Sequence, residues 1–452
     1  MLPTANITDD VSGVDLEGSS YLAMYGEHRA QKSLLQLPKW LQDYFSWHRS
    51  QTETSSIESK YLVVTCLERD KCGGFSDRLR PLPFWLLLAS KVDRVLCIYW
   101  ARPFALDSLL QPLPSGIDWR CPKDFIDVVN HELPSRWQRS YKHHIIYKES
   151  NNLSPGGVAK SFIEAILPIP DKFTSVSMKD QDFGKIVNLN MVFNSYSYNE
   201  RLPIVNAWMH VPLMEHIFRV MFEPIEPIAK SINATMTRLG LVENEFTSVH
   251  VRARYPTRKM MVILGDHQSV EYDKNDRKPA FEGRLKALLL DLAKNALECG
   301  ILLKPEYKLF VSSDSVDLTN YVTSTPFAWQ GTKPATYHVA GIDARDEIKH
   351  LEHSHHVSHV EFYPLIEDLL IMGGSACVSH GVGSFGAFAA GLAGNRCRAI
   401  HRKPTGKTEK CPNNRAENVV IEITNEYVMG DNLSDLGEGR LPPAEGTIFI
   451  NV

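Results

Sequence analysis

No apolar run in this chain approaches the ~18–20 residues that a membrane-spanning helix requires. The longest candidate, residues 83–90, is short and reads as a core helix. The first eighteen residues are polar and lack a basic start followed by an apolar stretch, so no signal peptide or anchor is read there. The expectation is a cytoplasmic protein, or one of the secretory lumen (Golgi or ER) whose anchor lies outside this sequence. A basic excess is also missing. Lys and Arg number 49 against 53 Asp and Glu, a formal net charge of -4, with a pI near 6.5. That balance argues against general nucleic-acid or membrane-surface binding, and any basic site has to be local. Cysteine is sparse, eight in 452 residues. Cys66, Cys97 and Cys377 lie in apolar strand-like runs and are expected as buried thiols. Cys66 with Cys72, and Cys397 with Cys411, are near enough in sequence to pair in an oxidising lumen; about 105 pairings exist, and none is assigned.

What is present is an ordinary globular composition, 43% hydrophobic and 23% charged, long enough for two or three domains. Four sequons, at Asn6, Asn152, Asn233 and Asn432, lean towards a secretory lumen. Residues 1–30 are polar and are expected to be loosely attached. An amphipathic helix interrupted by Pro38 covers 31–50. A βαβ unit follows, with strands over 61–66 and 94–100 and a helix over 83–91. Residues 105–240 resist parsing, except for a helix-like run over 209–241. From 246 the alternation is regular: strands over 246–254, 309–314, 336–340, 376–380 and 398–401, and helices over 281–299, 363–372 and 384–392. Strands separated by helices mean parallel sheets with right-handed crossovers. The expected organisation is an extension over 1–55, an α/β domain over 56–244 and a second α/β domain over 245–452, with a cleft between the two α/β units.

The most informative stretch is 247–254, a buried strand that ends on His250, Arg252 and Arg254. In open α/β sheets ligands bind at the carboxyl ends of strands, and Arg holds phosphate through a permanently charged bidentate fork. Gly381-Val-Gly383-Ser384-Phe385-Gly386 follows a strand and opens a helix. A dinucleotide site fails on context: too little chain follows Gly386 for a whole Rossmann domain, and the region about twenty residues on, His401-Arg402-Lys403-Pro404, offers no acid for a ribose. Two readings stay open. Either backbone N–H groups at a helix start meet a phosphate or sugar, with Ser384 adding a hydroxyl and Phe385 a ring face, or the segment is a tight turn with Ser384 as N-cap. Gly73-Gly74-Phe75-Ser76-Asp77-Arg78 is a comparable loop after the first strand, with Asp77 and Arg78 either pointing into the cleft or bracing a plain turn. Asp314, at another strand end, is a cleft acid or a helix N-cap. The histidines at 350, 353, 355, 356 and 359 invite a metal reading, but a solvated loop is favoured and no metal is expected.

Taken together, the Gly-Gly loop with Asp-Arg, the H-x-R strand end and the Ser-Phe helix start preceded by an acidic helix resemble the GDP-fucose-dependent fucosyltransferases of the α1,6/protein-O-fucosyltransferase superfamily. Asp368, sixteen residues ahead of Ser384, reproduces that family's spacing. The resemblance covers chiefly 61–100 and 246–400. It implies a GT-B-like fold of two Rossmann-like domains facing a cleft. It also implies inverting transfer of fucose from GDP-fucose to a protein or glycan hydroxyl, with no metal and no cofactor beyond the donor substrate. Arg252 then matches the essential Arg on the donor's β-phosphate, with His250 the motif histidine. Gly73, Gly74, Arg78, Arg254, Asp314, Asp368, Ser384 and Phe385 fall on the donor side. Asp77 stands where protein O-fucosyltransferases carry an Asn, and is a base or acceptor-orienting group. The α1,6 and α1,2 members read H-x-R-R; here Ala253 separates Arg252 from Arg254, which favours the protein O-fucosyltransferase branch or an outlying one. The competing readings are a catalytically silent nucleotide-sugar or glycan-binding relative and a transferase of another GDP-sugar.

Overall fold

Pro38 divides the first helical segment in two. A proline lacks a donor and biases its predecessor towards extended backbone, and Leu37 lies at φ -75°, ψ 151°. The result is α1 (Glu27–Gln36) and α2 (Lys39–Glu53). The computed structural model describes residues 25–53, 59–66, 72–131, 173–177, 213–253, 283–331, 333–342, 351, 357–381, 383–394, 397–401 and 411. Within α2, Leu41, Tyr44, Phe45 and His48 bury one stripe, the spacing of an amphipathic helix. Contrary to the expectation of loose attachment, residues 25–30 are docked: Tyr25 and Ala30 are buried, and the Tyr25 hydroxyl donates to the Leu370 carbonyl at 3.2 Å.

β1 (Tyr61–Cys66) is buried at every residue. Such a run suits a strand covered on both faces of a parallel sheet. The short helix α3 (Phe75–Leu79) and then α4 (Leu82–Lys91), entered through Pro81 and Pro83, cross over to β2 (Val95–Trp100). β2 and β1 pair in parallel from Tyr61↔Val95 to Cys66↔Trp100. Next come β3 (Leu110–Gln111), α5 (Lys123–His131) and β4 (Phe173–Ser177); β4 joins the other side of β1, again in parallel. The helix-like run over 209–241 is two helices, α6 (Leu213–Met221) and α7 (Glu226–Leu239), separated by β5 (Glu223–Pro224), which pairs with β3. Gly240, at φ 59°, ends α7 in the left-handed conformation glycine permits.

β6 (Phe246–Val251), α8 (Gly283–Leu303), β7 (Lys308–Ser313) and α9 (Val316–Ser324) begin the second unit. The single strand expected over 336–340 is two pieces. β9 (Ala335–Tyr337) forms a hairpin with β8 (Phe327–Trp329), and β10 (Ala340–Gly341) joins the main sheet. The described elements end with α10 (Tyr363–Gly373), β11 (Cys377–His380), α11 (Ser384–Leu392) and β12 (Arg398–Ile400). The five strands run parallel in the order β10-β7-β6-β11-β12. Each face of this sheet has its own core. Val249, Val251, Leu309 and Val311 pack with Leu289, Leu292 and Ala296 of α8. Phe246 and Phe310 turn the other way, into a cluster with Ile366, Leu370 and Phe388 that continues to Leu62 and Val64 of the first sheet. One apolar core therefore joins the two sheets.

All eight cysteines are paired: Cys66–Cys72, Cys97–Cys121, Cys299–Cys411 and Cys377–Cys397. Cys66, Cys97 and Cys377 are thus buried half-cystines, not the thiols expected; Cys66 takes the Cys72 partner that sequence proximity offered, and Cys397 pairs with Cys377 instead of Cys411. Strand pairing decides the matter, because β11 and β12 are adjacent and bring 377 and 397 to a Cα separation of 4.6 Å. Among the described residues no helix is long and apolar enough to cross a membrane.

Candidate functional site

Parallel strands deliver their carboxyl ends to one edge, and three polar residues line up there. His250 of β6 is in register with Ser312 of β7 on one side and His380 of β11 on the other. All three are buried. The alternation that sends Phe246 into the shared core sends His250 the same way, beneath α11. Its ring lies 5.1 Å from that of Phe385. Burial pushes the His250 pKa down to about 3, with the Arg252 charge and then His380 acting in the same direction. This imidazole is neutral at any ordinary pH.

Beyond the strand, Arg252 is half-buried, and the next residue is held in place, since the Ala253 N–H donates to Asp314 Oδ1 at 2.5 Å. Asp314 therefore braces the segment that carries Arg252. The N-cap of α9 is Ser315, whose hydroxyl accepts from the Leu318 N–H. The guanidinium faces the turn that opens α11. A β-carbon built on Gly383 would lie 2.6 Å from Arg252 Nη1. Gly383 has φ 104° and is the N-cap residue, so it brings no side chain to cap the helix. Ser384 is the first helical residue and not the cap. A cation beside a helix N-terminus is a like-sign arrangement, because the first-turn N–H groups carry partial positive charge. An anion seated between them makes both interactions favourable.

Asp368 lies one layer below. Its Oδ2 accepts from the Ser312 hydroxyl at 2.8 Å, with both residues buried. It thereby anchors α10 to the strand end beside His250.

The loop after β1 supplies the opposing wall, and α3 packs against α11. The Gly74 N–H donates to Asp77 Oδ2 at 3.0 Å, so Asp77 caps its own helix in the manner of an N3 acid. Gly73 has φ 75°, and a β-carbon there would lie 2.9 Å from Asp77 Cβ. Arg78 does not reach into the cleft. It is 1% exposed, donating from Nε to the Gly73 carbonyl at 3.2 Å and from Nη1 to the Arg102 carbonyl at 2.5 Å. Its guanidinium also lies 4.9 Å from the Trp100 ring centre. It ties the β1 loop to the segment after β2. Arg80, one turn beyond Asp77, is less well served. Its Nε and Nη2 are buried without hydrogen-bond partners among the described residues, and burial lowers its pKa against the opposing pull of Asp77.

Arg254 lies outside the described residues, as do His350, His353, His355 and His356. His359 packs its ring against Phe104 and Tyr363. Among the described residues no three His, Cys, Asp or Glu side chains group as a metal site. Of the four sequons only Asn233 is described. It sits inside α7, and the Thr235 hydroxyl of its tripeptide is buried and donates to Glu367 Oε1 at 2.5 Å, a poor glycan acceptor in the folded chain. Sequence reasoning missed His380, whose signal was positional: a polar residue ending a buried strand.

No family model and no curated protein matches the chain. Solved structures similar to it include an Arabidopsis thaliana FUT1 mutant in complex with GDP, at 14% identity over 87% of this chain and 86% of that one, TM-score 0.43. The α-1,6-fucosyltransferase NodZ soaked with GDP-fucose is 14% identical over 74% of this chain and 93% of that one, TM-score 0.38. The fucosyltransferase NodZ from Bradyrhizobium is 14% identical over 73% and 93%, TM-score 0.36. With TM-scores below 0.5 these stand as likenesses only, and the roles assigned below rest on the chain's own residues.

Proposed function

We propose that this chain is an inverting, metal-independent glycosyltransferase of GT-B type that moves fucose from GDP-fucose to a hydroxyl of a protein or glycan. One observation carries the donor site: the Arg252 guanidinium set against the uncapped start of α11 at the carboxyl edge of a parallel sheet. That arrangement calls for an anion, and the diphosphate of a nucleotide sugar supplies one. Fucose as the sugar rests on the motif resemblance of His250, Arg252, Asp368, Ser384 and Phe385.

In this mechanism the bond from the fucosyl carbon to the β-phosphate oxygen lengthens and negative charge gathers on GDP. Arg252 and the first-turn N–H groups of α11 stabilise that charge in a water-poor site. The acceptor hydroxyl attacks the opposite face of the oxocarbenium-like carbon and loses its proton, and GDP departs. Asp77 is the acid assigned to the acceptor side, where the oxygen not held by Gly74 orients the hydroxyl or takes its proton. The four disulfides fit a lumenal, oxidising location, so we place the protein in the ER or Golgi. The commitment of Asp77 Oδ2 to capping favours one second reading, a relative that binds the donor without turning it over.

Thermal shift with GDP, UDP and NADP, followed by donor turnover with and without EDTA, tests these statements. GDP alone is expected to stabilise, and EDTA to leave turnover unchanged. Stabilisation by NADP alone overturns the donor reading; GDP binding with no turnover on any hydroxyl acceptor leaves the silent reading standing. Full turnover in Arg252→Ala removes the assignment of the strand end.

A further inference from the structure

His380, the last residue of β11, has no part in the mechanism above. It is 4% exposed, and its Nδ1 lies 3.2 Å from the Gly381 carbonyl oxygen. A carbonyl oxygen only accepts, so Nδ1 carries the proton. Burial holds the His380 pKa down to about 4, with the Arg398 charge acting in the same direction and the Gly381 bond opposing both. The ring is therefore neutral, and Nε2 is a bare lone pair. That atom is buried and has no hydrogen-bond partner among the described residues. An apolar ring would fill the same space without this penalty, so the imidazole is kept for what Nδ1 does.

What Nδ1 does is tether the first residue of the turn that leads to α11. The His380 β-carbon also lies against the helix itself. Gly386, in the first turn of α11, lies against both strand-end histidines. A β-carbon there would stand 2.6 Å from His380 Cβ, 3.0 Å from His250 Nδ1 and 3.2 Å from His250 Cβ. Only a glycine lets the helix come down onto the pair. We propose that His380 is a positioning residue of the anion site: its tether on Gly381 and its contact with Gly386 set where the uncapped start of α11 sits opposite Arg252. The inference rests on the reading of that edge as a diphosphate site and deepens it, since it names what holds one of the two positive groups in place.

His380→Phe keeps the ring and removes the N–H. The expected result is amide hydrogen exchange about tenfold faster over 383–387. GDP and inorganic pyrophosphate should bind about 2- to 12-fold more weakly, the worth of one lost hydrogen bond. KM should rise more than kcat falls, and Tm should stay within a few degrees. His380→Asn, which keeps a donor for the carbonyl, is expected to recover part of the affinity. ¹⁵N NMR of the wild type should report the Nδ1–H tautomer, a reading that needs no variant to fold. An Nε2–H tautomer, or unchanged exchange in His380→Phe, overturns the inference even where GDP binds normally. Failure of the wild type to bind GDP or pyrophosphate overturns the donor reading instead, and exchange and tautomer still decide the role of His380.

Discussion

The two walls of the candidate site use the same residue types to opposite ends. On the β6–α11 wall, Arg252 is half-buried against a helix start with no side-chain cap. On the β1–α3 wall, Arg78 is sealed against two carbonyls and an indole, and Asp77 caps its own helix. Among the described residues, the first wall holds positive groups with no counter-charge against them. The second, Arg80 and the Ser76 hydroxyl apart, answers most of its own polar groups. An Arg beside a Gly-rich turn thus faces a helix start in one place and serves as a brace in the other, and burial with local carbonyls makes the difference.

The sharpest way to break this contrast is Arg252→Ala. Removing a group that holds the diphosphate and meets the charge that grows on it is expected to weaken GDP binding and to lower kcat about 10²–10³-fold, with little change in Tm; a loss of stability with catalysis intact would make Arg252 the brace. The pH dependence of stability is a large effect of a different kind. His48, His250 and His380 are buried with pKa values lowered to about 4, 3 and 4. The unfolded chain binds protons at these positions near pH 6.5, and the folded chain does not until about 3–4. Stability is therefore fully present above pH 6.5 and falls as pH drops towards 4, by up to about 1.4 kcal/mol per pH unit for each imidazole. Tm measured from pH 7.5 to 4.5 checks it, and a flat profile would mean that the three rings are not dry.

Arg78→Ala should do the reverse of Arg252→Ala. Two buried hydrogen bonds from a charged group and a cation–π contact are lost, and stability should fall by about 2–4 kcal/mol in urea unfolding. Donor affinity of the remaining folded protein should change little. Gly383→Ala is expected to weaken GDP binding by about 1–3 kcal/mol, since φ 104° strains any side chain and the new methyl meets Arg252; calorimetric titration reads it. The smallest expected effect is Asp77→Asn. Its amide oxygen can still accept from Gly74, so Tm should move by the equivalent of about 1 kcal/mol or less. Turnover then separates the roles: unchanged turnover leaves Asp77 a cap, and a large drop makes it the acceptor-side acid as well.

Much of the framework was legible from pattern. The β1 strand at Tyr61–Cys66 and the α11 helix at Ser384–Leu392 fall where apolar periodicity and the glycine turn put them. The place of Arg252 at the carboxyl end of a buried strand was legible too, because the strand pattern runs directly into it. The roles of Arg78 and Asp314 were not, because whether a charged side chain faces solvent or a backbone group depends on chain far away, the Arg102 carbonyl in one case and the Ala253 N–H in the other. The cysteine pairing was hidden for the same reason. Proximity along the chain suggested Cys397 with Cys411, while strand adjacency selected Cys377.

By itself the sequence determined the parallel α/β alternation, the basic strand end and the glycine turn, since these depend on side-chain periodicity and on backbone freedom within a few residues. Only the tertiary structure decided that His250 and His380 stand side by side beneath Gly386, and that Arg252 rather than Arg78 confronts the start of α11. Those facts come from strand order, in which β6 pairs with β11 across more than a hundred residues of intervening chain, and from the shared core that sets α3 against α11. Local propensity carries no record of either.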